Sequence, residues 1–264
     1  MVQLLGIPYD HNSSFLRGPA LAPARIRLMD KEGSANAFAE NGKEIKEVFT
    51  YNDAGDVVFE DIQPEKVFAA IKNKMRHLLQ AGHQVMALGG DHSISYPVID
   101  AYAEKYPGLH VLHLDAHTDL YDNFDNNPFS HASPFARLLE TGKLGSLTQA
   151  GIRTATAHHH AQAKKYGVRM IEMKNIGVSF LEHLSAPLYI SLDLDVLDPA
   201  FAPGVSHHEP GGLSTRELLN IIAQINLPLV GADIVEYNPV RDVNNMTAMV
   251  AYKLMKELIS KMVQ

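Results

Sequence analysis

The stretch LHLDAHTDLYD, residues 112–122, places three potential metal ligands directly after a hydrophobic run. The run 109–114 has the composition of a buried strand, and Asp115, His117 and Asp119 follow it at alternate positions. In an extended chain alternate residues point to the same side, so these three side chains are expected to converge. Two facing carboxylates repel each other unless a proton or a cation lies between them. The stretch therefore predicts a buried strand that ends in a metal site.

The composition narrows the class of protein. With 264 residues, of which 46% are hydrophobic, the chain can form a substantial core, as one large α/β domain or two smaller ones. The formal net charge of -7 and the absence of a dense Lys/Arg block argue against a nucleic-acid partner. Because there is no cysteine, neither a disulfide framework nor a thiolate zinc site is possible. The absence of cysteine also fits a reducing cytoplasm.

The N-terminus lacks a basic segment followed by a long apolar stretch, so no signal peptide is expected. Apolar runs elsewhere are too short to span a membrane. We therefore expect a soluble cytoplasmic protein with no membrane partner.

Short strand-like runs alternate with helical patterns along the whole chain. Strands are predicted at 3–7, 85–88, 109–114, 147–152, 168–172, 188–194 and 229–235. Helices are predicted at 65–80, 96–105, 134–141, 155–166, 215–225 and 245–261. This order predicts a parallel sheet with helices on both faces. No linker or repeat divides the chain, so we expect a single domain over residues 1–264.

Two further strand ends carry ligand-type side chains. Gly89-Gly90, a pair that permits unusual backbone angles, precedes Asp91-His92. In YISLDLDVLDP, residues 189–199, two aspartates alternate on one face of a strand that otherwise has a buried composition, which is costly unless a cation neutralises them. Six ligands at three strand ends exceed what one ion needs and suit two; they are His92, Asp115, His117, Asp119, Asp193 and Asp195.

Carboxylates with imidazoles and no thiolate favour manganese-type ions. Two such ions, about 3.5–4 Å apart, would share a water and lower its pKa towards neutrality. The three strand ends therefore predict a binuclear hydrolytic centre.

The motifs GGDHS, DAHTD, SLDLDVLDP, PGVSHHEPGGLS and GADIVEYNP resemble those of the ureohydrolases, the family of arginase and agmatinase. YDNFDNNPFSHASPFARLLE looks most like the agmatinase-like branch, which includes the plant-type arginases. The resemblance runs over nearly the whole chain. It implies a three-layer α/β/α sandwich with a central, mainly parallel eight-stranded sheet, and homo-oligomers, usually trimers or hexamers.

The resemblance also implies roles for individual residues. One manganese would be held by His92, Asp115, Asp119 and Asp193, and the other by Asp115, His117, Asp193 and Asp195. Glu236 in DIVEYNP matches the glutamate that binds the substrate guanidinium, and His131 in SHASPF matches the histidine that shuttles protons. The implied reaction converts agmatine or arginine to urea and an amine by attack of a metal-bridging hydroxide.

The chain departs from many relatives at VSHHEP, residues 205–210, where they carry Thr-Gly-Thr-Pro. Here Ser206 and His207 are candidate substrate contacts. The run His158-His159-His160 cannot form one tight site on a helix, because consecutive residues point in different directions, and we expect it to be solvent-exposed.

Three alternatives remain open. Formimidoylglutamate or another small guanidino acid could be hydrolysed on the same centre. A deacetylase-like enzyme with one zinc would leave His92 and Asp119 superfluous. An inactive, metal-stabilised homologue would not need the complete set of ligands together with His131 and Glu236.

Overall fold

Eight strands form the centre of the molecule in the computed structural model, which describes residues 1–32 and 35–264. They are β1 (Val2–Gly6), β2 (Tyr51–Asp56), β3 (Gln84–Leu88), β4 (His110–Leu114), β5 (Ser146–Ile152), β6 (Arg169–Glu172), β7 (Leu188–Asp193) and β8 (Leu229–Val235). Their order across the sheet is β2-β1-β3-β8-β7-β4-β5-β6, and every neighbouring pair is parallel. The eight-stranded sheet is confirmed.

Within the described residues, seven α-helices cover the two faces of this sheet. They are α1 (Ala22–Lys31), α2 (Pro64–Gln80), α3 (Ser95–Lys105), α4 (Pro134–Glu140), α5 (Ala157–Tyr166), α6 (Thr215–Gln224) and α7 (Met246–Met262). Helices α1, α6 and α7 pack into one buried apolar cluster, whereas α2, α3, α4 and α5 contribute to the other. On β4, for example, Leu112 faces the first cluster and Val111 the second. The three-layer α/β/α arrangement is therefore confirmed.

The sequence predicts seven of the eight strands to within two residues, but it misses β2 and α1. Strand β2 has the sequence YNDAGD, which is polar and largely accessible, because the strand lies at the sheet edge and pairs only with β1. Helix α1 starts with Ala22-Pro23 and carries two arginines, so its apolar stripe is narrow. None of the helices in the described residues is both long and apolar enough to cross a bilayer.

The strand order explains why the motifs meet. Strands β3, β8, β7 and β4 are adjacent in the middle of the sheet, although they are far apart in sequence. Because all are parallel, their carboxyl ends lie along one edge, where ligands collect in open α/β sheets. His92, Glu236 and Asp115 follow β3, β8 and β4, and Asp193 is the last residue of β7.

Candidate metal centre

The chain after β3 is held against the chain after β1. The amide of Asp91 donates to the carbonyl of Tyr9 at 2.9 Å, and a Cβ on Gly90 would lie 1.8 Å from the same carbonyl oxygen. Neither Gly89 nor Gly90 has a positive φ. The expectation that these glycines provide unusual backbone angles is therefore wrong. Both positions require glycine because there is no space for a Cβ. At Gly90 it would meet the backbone of Tyr9, and at Gly89 it would meet the side chain of Val235.

The DAHTD segment after β4 is a turn and not a continued strand. Strand β4 ends at Leu114, and Asp115 Oδ1 accepts a hydrogen bond from the His117 amide at 2.6 Å. Asp119 has a φ of 51°, a left-handed conformation that is uncommon outside glycine. The three side chains do converge, but the predicted reason, alternation along an extended strand, is wrong. The turn is set by the hydrogen bond between the Asp115 side chain and the backbone amide of His117.

The end of β7 repeats this arrangement. Asp193 is the last strand residue, and its Oδ1 accepts from the Asp195 amide at 2.8 Å. Asp195 lies in a short 3₁₀ helix, Leu194–Val196, so the prediction that Asp193 and Asp195 alternate along one strand is wrong. Both aspartates are buried. The Ala116 amide donates to Asp195 Oδ1 at 3.2 Å and joins the two turns.

The candidate ligand atoms form two groups. His92 Nδ1 lies 3.2 Å from Asp115 Oδ2, 3.0 Å from Asp119 Oδ2 and 3.1 Å from Asp193 Oδ2. His117 Nδ1 lies 3.0 Å from Asp195 Oδ2 and 3.4 Å from Asp115 Oδ1. Asp115 belongs to both groups, one oxygen to each. The structure thus brings together all six residues that the sequence singles out.

The electrostatics of the cluster fit bound cations. Burial, with Asp195 and Asp115 close by, raises the pKa of Asp193 well above its usual range. Burial also raises the pKa of Asp195 to about 6, although His117 opposes the rise. His92 Nδ1 is buried and has no hydrogen-bond partner in the described chain. Atoms that share a small divalent ion at about 2.1 Å lie about 3 Å apart, which is the spacing around His92.

Beside this cluster, Glu236 follows β8 and contacts His131. Glu236 is a buried non-glycine residue with a φ of 62°, a strained conformation of the kind that clusters at functional sites. Its Oε1 accepts from the His92 amide at 2.9 Å and lies 2.7 Å from His131 Nδ1. Its Oε2 is buried and has no hydrogen-bond partner among residues 1–32 and 35–264. A buried carboxylate oxygen of this kind is costly unless a donor reaches it.

The surroundings of His131 suit a proton carrier. Burial lowers its pKa, but the charge and hydrogen bond of Glu236, together with the charges of Asp91 and Asp119, raise the pKa to about 9. On the other side of the ring, Nε2 lies 3.1 Å from the Ser14 amide and 2.8 Å from the Ser14 hydroxyl. The amide donates, whereas the hydroxyl can also accept. Nε2 therefore has a partner with or without a proton.

A cavity of about 220 Å³ opens onto the ligand cluster, His131 and Glu236. Away from the ligand cluster, His131 and Glu236, its lining includes Ser14, Tyr121, Phe124, Thr154, His159 and His207. The candidate contact His207 therefore reaches the cavity, and burial lowers its pKa. Ser206 does not line the cavity. Its hydroxyl donates to the Leu16 carbonyl at 3.1 Å and accepts from Asn238 at 2.9 Å, so these contacts give no support to a substrate contact by Ser206.

The prediction for the histidine run is right for two of its members and wrong for the third. The side chains of His158 and His160 are 43% and 54% exposed, whereas His159 is 4% exposed and lines the cavity. His159 Nδ1 accepts from the Thr156 amide at 3.1 Å at the start of α5. The available signal was Thr156, a residue type that favours helix starts, three positions before His159.

The fold and the cluster define an α/β protein with a candidate two-metal centre at the carboxyl ends of its central strands. The sequence matches the Arginase family over residues 1–260. Arginase 1, mitochondrial, of Arabidopsis thaliana is 47% identical over an alignment of 273 positions. The alignment covers 98% of this chain and 80% of the plant protein. Agmatinase of Bacillus anthracis is 34% identical, over 98% of this chain and 90% of that protein.

Among solved structures, arginase from Medicago truncatula has a TM-score of 0.93 and 44% identity, covering 99% of this chain and 87% of that one. The chain belongs to the arginase family, as the motifs indicate. It is a hydrolase of the arginase and agmatinase type.

Proposed function

We propose that this protein hydrolyses the guanidino group of arginine or agmatine, giving urea and ornithine or putrescine, with two manganese ions per chain. The observation that carries the proposal is Glu236 Oε2, a buried carboxylate oxygen with no hydrogen-bond partner in the part of the chain that the structure describes. Glu236 lines a cavity that also opens onto the two groups of candidate metal ligands. A planar cation is the group that such an oxygen is suited to bind.

The proposed ligands are those that the resemblance implies. His92, Asp115, Asp119 and Asp193 would hold one ion; Asp115, His117, Asp193 and Asp195 would hold the other. Oxygen and imidazole ligands without a thiolate support manganese. The chemistry that such ions supply when bound is the activation of a water molecule at neutral pH.

Glu236 binds and orients the substrate. Its Oε1 is fixed by the His92 amide and by His131, so Oε2 presents its charge in one direction. A guanidinium bound there lies in the part of the cavity that adjoins the ligand cluster. Holding the planar group in line for attack lowers the entropic part of the barrier.

His131 supplies the proton that the leaving amine needs. With a pKa of about 9 it is protonated at neutral pH, and Glu236 keeps the ring in place through Nδ1. Nε2 is then the nitrogen that can give its proton to the amine. Before this transfer the protonated Nε2 can donate to the Ser14 hydroxyl, and after it the unprotonated Nε2 accepts from the Ser14 amide.

His159, which lines the cavity, supports arginine as the first substrate to test. Because His159 Nδ1 accepts from the Thr156 amide, its proton is on Nε2, which is buried and unpartnered in the described chain. A donor on this residue suits the carboxylate of arginine better than the ammonium of agmatine. The 34% identity to a bacterial agmatinase supports agmatine as the alternative, and a formimino acid remains a third candidate.

Urea release over a panel of guanidino compounds, with formamide release for formimidoylglutamate, tests the proposal. The protein is loaded with manganese, and its metal content is measured. We expect urea from arginine or agmatine and two ions per chain. Formamide without urea would replace the proposed substrate, and no product from any compound in protein that holds two ions would overturn the function.

We also propose that the protein is a single domain over residues 1–264 and works as a homo-oligomer, a trimer or hexamer, in the cytoplasm. The parallel sheet that runs unbroken from β2 to β6 supports one domain. The lack of cysteine supports a reducing compartment. Limited proteolysis tests the single domain, light scattering on purified protein tests the oligomeric state, and cell fractionation tests the location.

A further inference from the structure

One buried histidine beside the candidate metal centre has no part in the proposed function. His113 lies on β4, two residues before Asp115, and its side chain is fully buried. Its ring stacks on Phe135 with centroids 3.9 Å apart. His113 Nε2 lies 2.7 Å from Asp115 Oδ2, close enough to His92, Asp115 and Asp119 to be a fourth ligand atom by distance alone.

The hydrogen bonds of Gln149 decide which nitrogen of His113 carries the proton. Gln149, on the neighbouring strand β5, has its amide nitrogen 2.5 Å from the Thr118 carbonyl and 3.0 Å from His113 Nδ1. A carbonyl can only accept, so the Gln149 atom that faces Thr118 must be the NH₂ group. The second hydrogen of that group points to His113 Nδ1, which therefore accepts.

It follows that His113 is a donor at Nε2 and not a metal ligand. Because Nδ1 accepts, the ring proton is on Nε2, where it is donated to Asp115 Oδ2. A nitrogen that carries a proton has no lone pair for a metal ion.

Both oxygens of Asp115 are consequently fixed by donors of the protein. Oδ1 accepts from the His117 amide at 2.6 Å, and Oδ2 accepts from His113 at 2.7 Å. Each oxygen also faces one ligand group: Oδ2 is 3.2 Å from His92 Nδ1, and Oδ1 is 3.4 Å from His117 Nδ1. A carboxylate that serves two ions needs one lone pair of each oxygen for a metal, which is what this arrangement leaves.

We propose that His113, oriented by Gln149, is a positioning residue that holds the Asp115 carboxylate so that each of its oxygens serves a different metal ion. The inference rests on the proposed two-metal centre. Gln149 also bonds the Thr118 carbonyl inside the DAHTD turn, so the same side chain fixes the turn and the histidine.

The test measures manganese binding in purified, reconstituted protein by equilibrium dialysis with metal analysis, together with the electron paramagnetic resonance spectrum. His113→Phe keeps the stacking on Phe135 and removes the donor. We expect both ions to bind about 10–100-fold more weakly, the usual effect of losing a partner of a ligand. The signal of an exchange-coupled pair should weaken at matched metal occupancy.

His113→Gln is the rescue variant, because its amide N–H can reach the position of Nε2. We expect it to restore part of the affinity and the coupled signal. His110→Phe is the matched control, since His110 is a buried histidine of the same strand whose partners are Ser146, Thr148 and Ser185. It should bind manganese as the wild type does. If His113→Phe fails to fold, Gln149→Met, which removes the donor to Nδ1, takes its place in the same assay.

Three results would overturn the inference. The first is wild-type affinity and spectrum in His113→Phe or its replacement. The second is a His113→Gln variant as impaired as His113→Phe. The third is selective loss of the ion held by His92 with the other unchanged, which would make His113 a ligand. Wild-type protein that binds two ions but releases no urea would instead overturn the proposed function and leave this inference standing.

Discussion

At the scale of single residues, the site depends on charges that are buried without full compensation. Glu236 combines a strained backbone, a complete set of donors on Oε1 and none in the described chain on Oε2. A protein gains no stability from such an oxygen, because burying a charge is costly unless it is hydrogen-bonded. A bound cation would neutralise Oε2 and remove this cost.

Replacing Glu236 by Gln preserves its size and removes its charge. We expect kcat/KM to fall roughly 10²–10³-fold on every guanidino substrate, because the charge-assisted bond that orients the cation is lost. Metal content should stay at the wild-type level. Steady-state kinetics with metal analysis check this, and Glu182→Gln, at an exposed glutamate, is the control. Wild-type kcat/KM with both metals present would remove Glu236 from substrate binding.

His131→Asn should retain both metals and bind substrate, while kcat falls by roughly 10²–10⁴-fold, as expected for the loss of a general acid. Single-turnover rates and metal analysis provide the measurement. A variant with near-normal turnover would show that His131 does not transfer the proton.

The same ion pair makes a pH-dependent contribution to stability in metal-free protein. The folded pKa of His131, about 9, lies above its ordinary value of about 6.5. A raised pKa contributes stability that is complete below about 6.5 and is lost as pH rises through about 9. The excess unfolding free energy of the wild type over His131→Asn should therefore shrink between about pH 7 and pH 10 in urea titrations. An unchanged difference would contradict the pairing.

At the scale of elements, the strand ends are shaped by backbone contacts as much as by the ligands themselves. Asp115 and Asp193 each close a turn by accepting from the amide two residues ahead. Gly90 lets the chain after β3 lie directly against Tyr9. These contacts fix where each strand stops and hence where its ligand points.

Gly90→Ala should destabilise the fold and disturb the position of His92. The added Cβ would meet the Tyr9 carbonyl at 1.8 Å, and backbone atoms cannot move aside as a side chain can. We expect a loss of about 1–3 kcal/mol in unfolding free energy, typical of overpacking. Gly177→Ala is the control, because nothing lies within 4 Å of its Cβ and its φ is ordinary. Equal stability of the two variants in chemical denaturation would be incompatible with this contact.

At the scale of the whole molecule, the candidate metal centre joins segments from three strands of the sheet. His92 and Asp115 follow β3 and β4, Asp193 ends β7, and β8 lies between β3 and β7. Bound ions would therefore link the two halves of the sheet and not merely a single loop.

Removal of metal should consequently lower Tm, and manganese should restore it. At a concentration 100 times Kd, one ion adds about 2.7 kcal/mol to stability by mass action. Asp193→Asn should lose much of this response, with both sites weakened together, because Asp193 is proposed to serve both ions. Differential scanning calorimetry and metal analysis make the comparison. Loss of one ion with the second bound normally would exclude a bridging role for Asp193.

The sequence by itself determined the class of fold and the set of candidate ligands. Strands and helices can be told apart in the sequence because their hydrophobic residues recur with different periods. Their alternation along the chain predicted a parallel sheet covered on both faces. DAHTD, GGDHS and SLDLD indicated a carboxylate and imidazole cluster, since buried carboxylates close to one another are costly unless a cation neutralises them. Family resemblance added Glu236 and His131, which pattern alone did not distinguish from a structural ion pair.

Only the tertiary structure decided how these residues act together. The order β3-β8-β7-β4 made neighbours of residues far apart in sequence, and long-range pairing leaves no local signal. The ligands converge through turns closed by aspartate, not through strand alternation. His113, Gln149 and His159 have roles that depend on which partner faces each nitrogen, and that is set by packing between strands and helices.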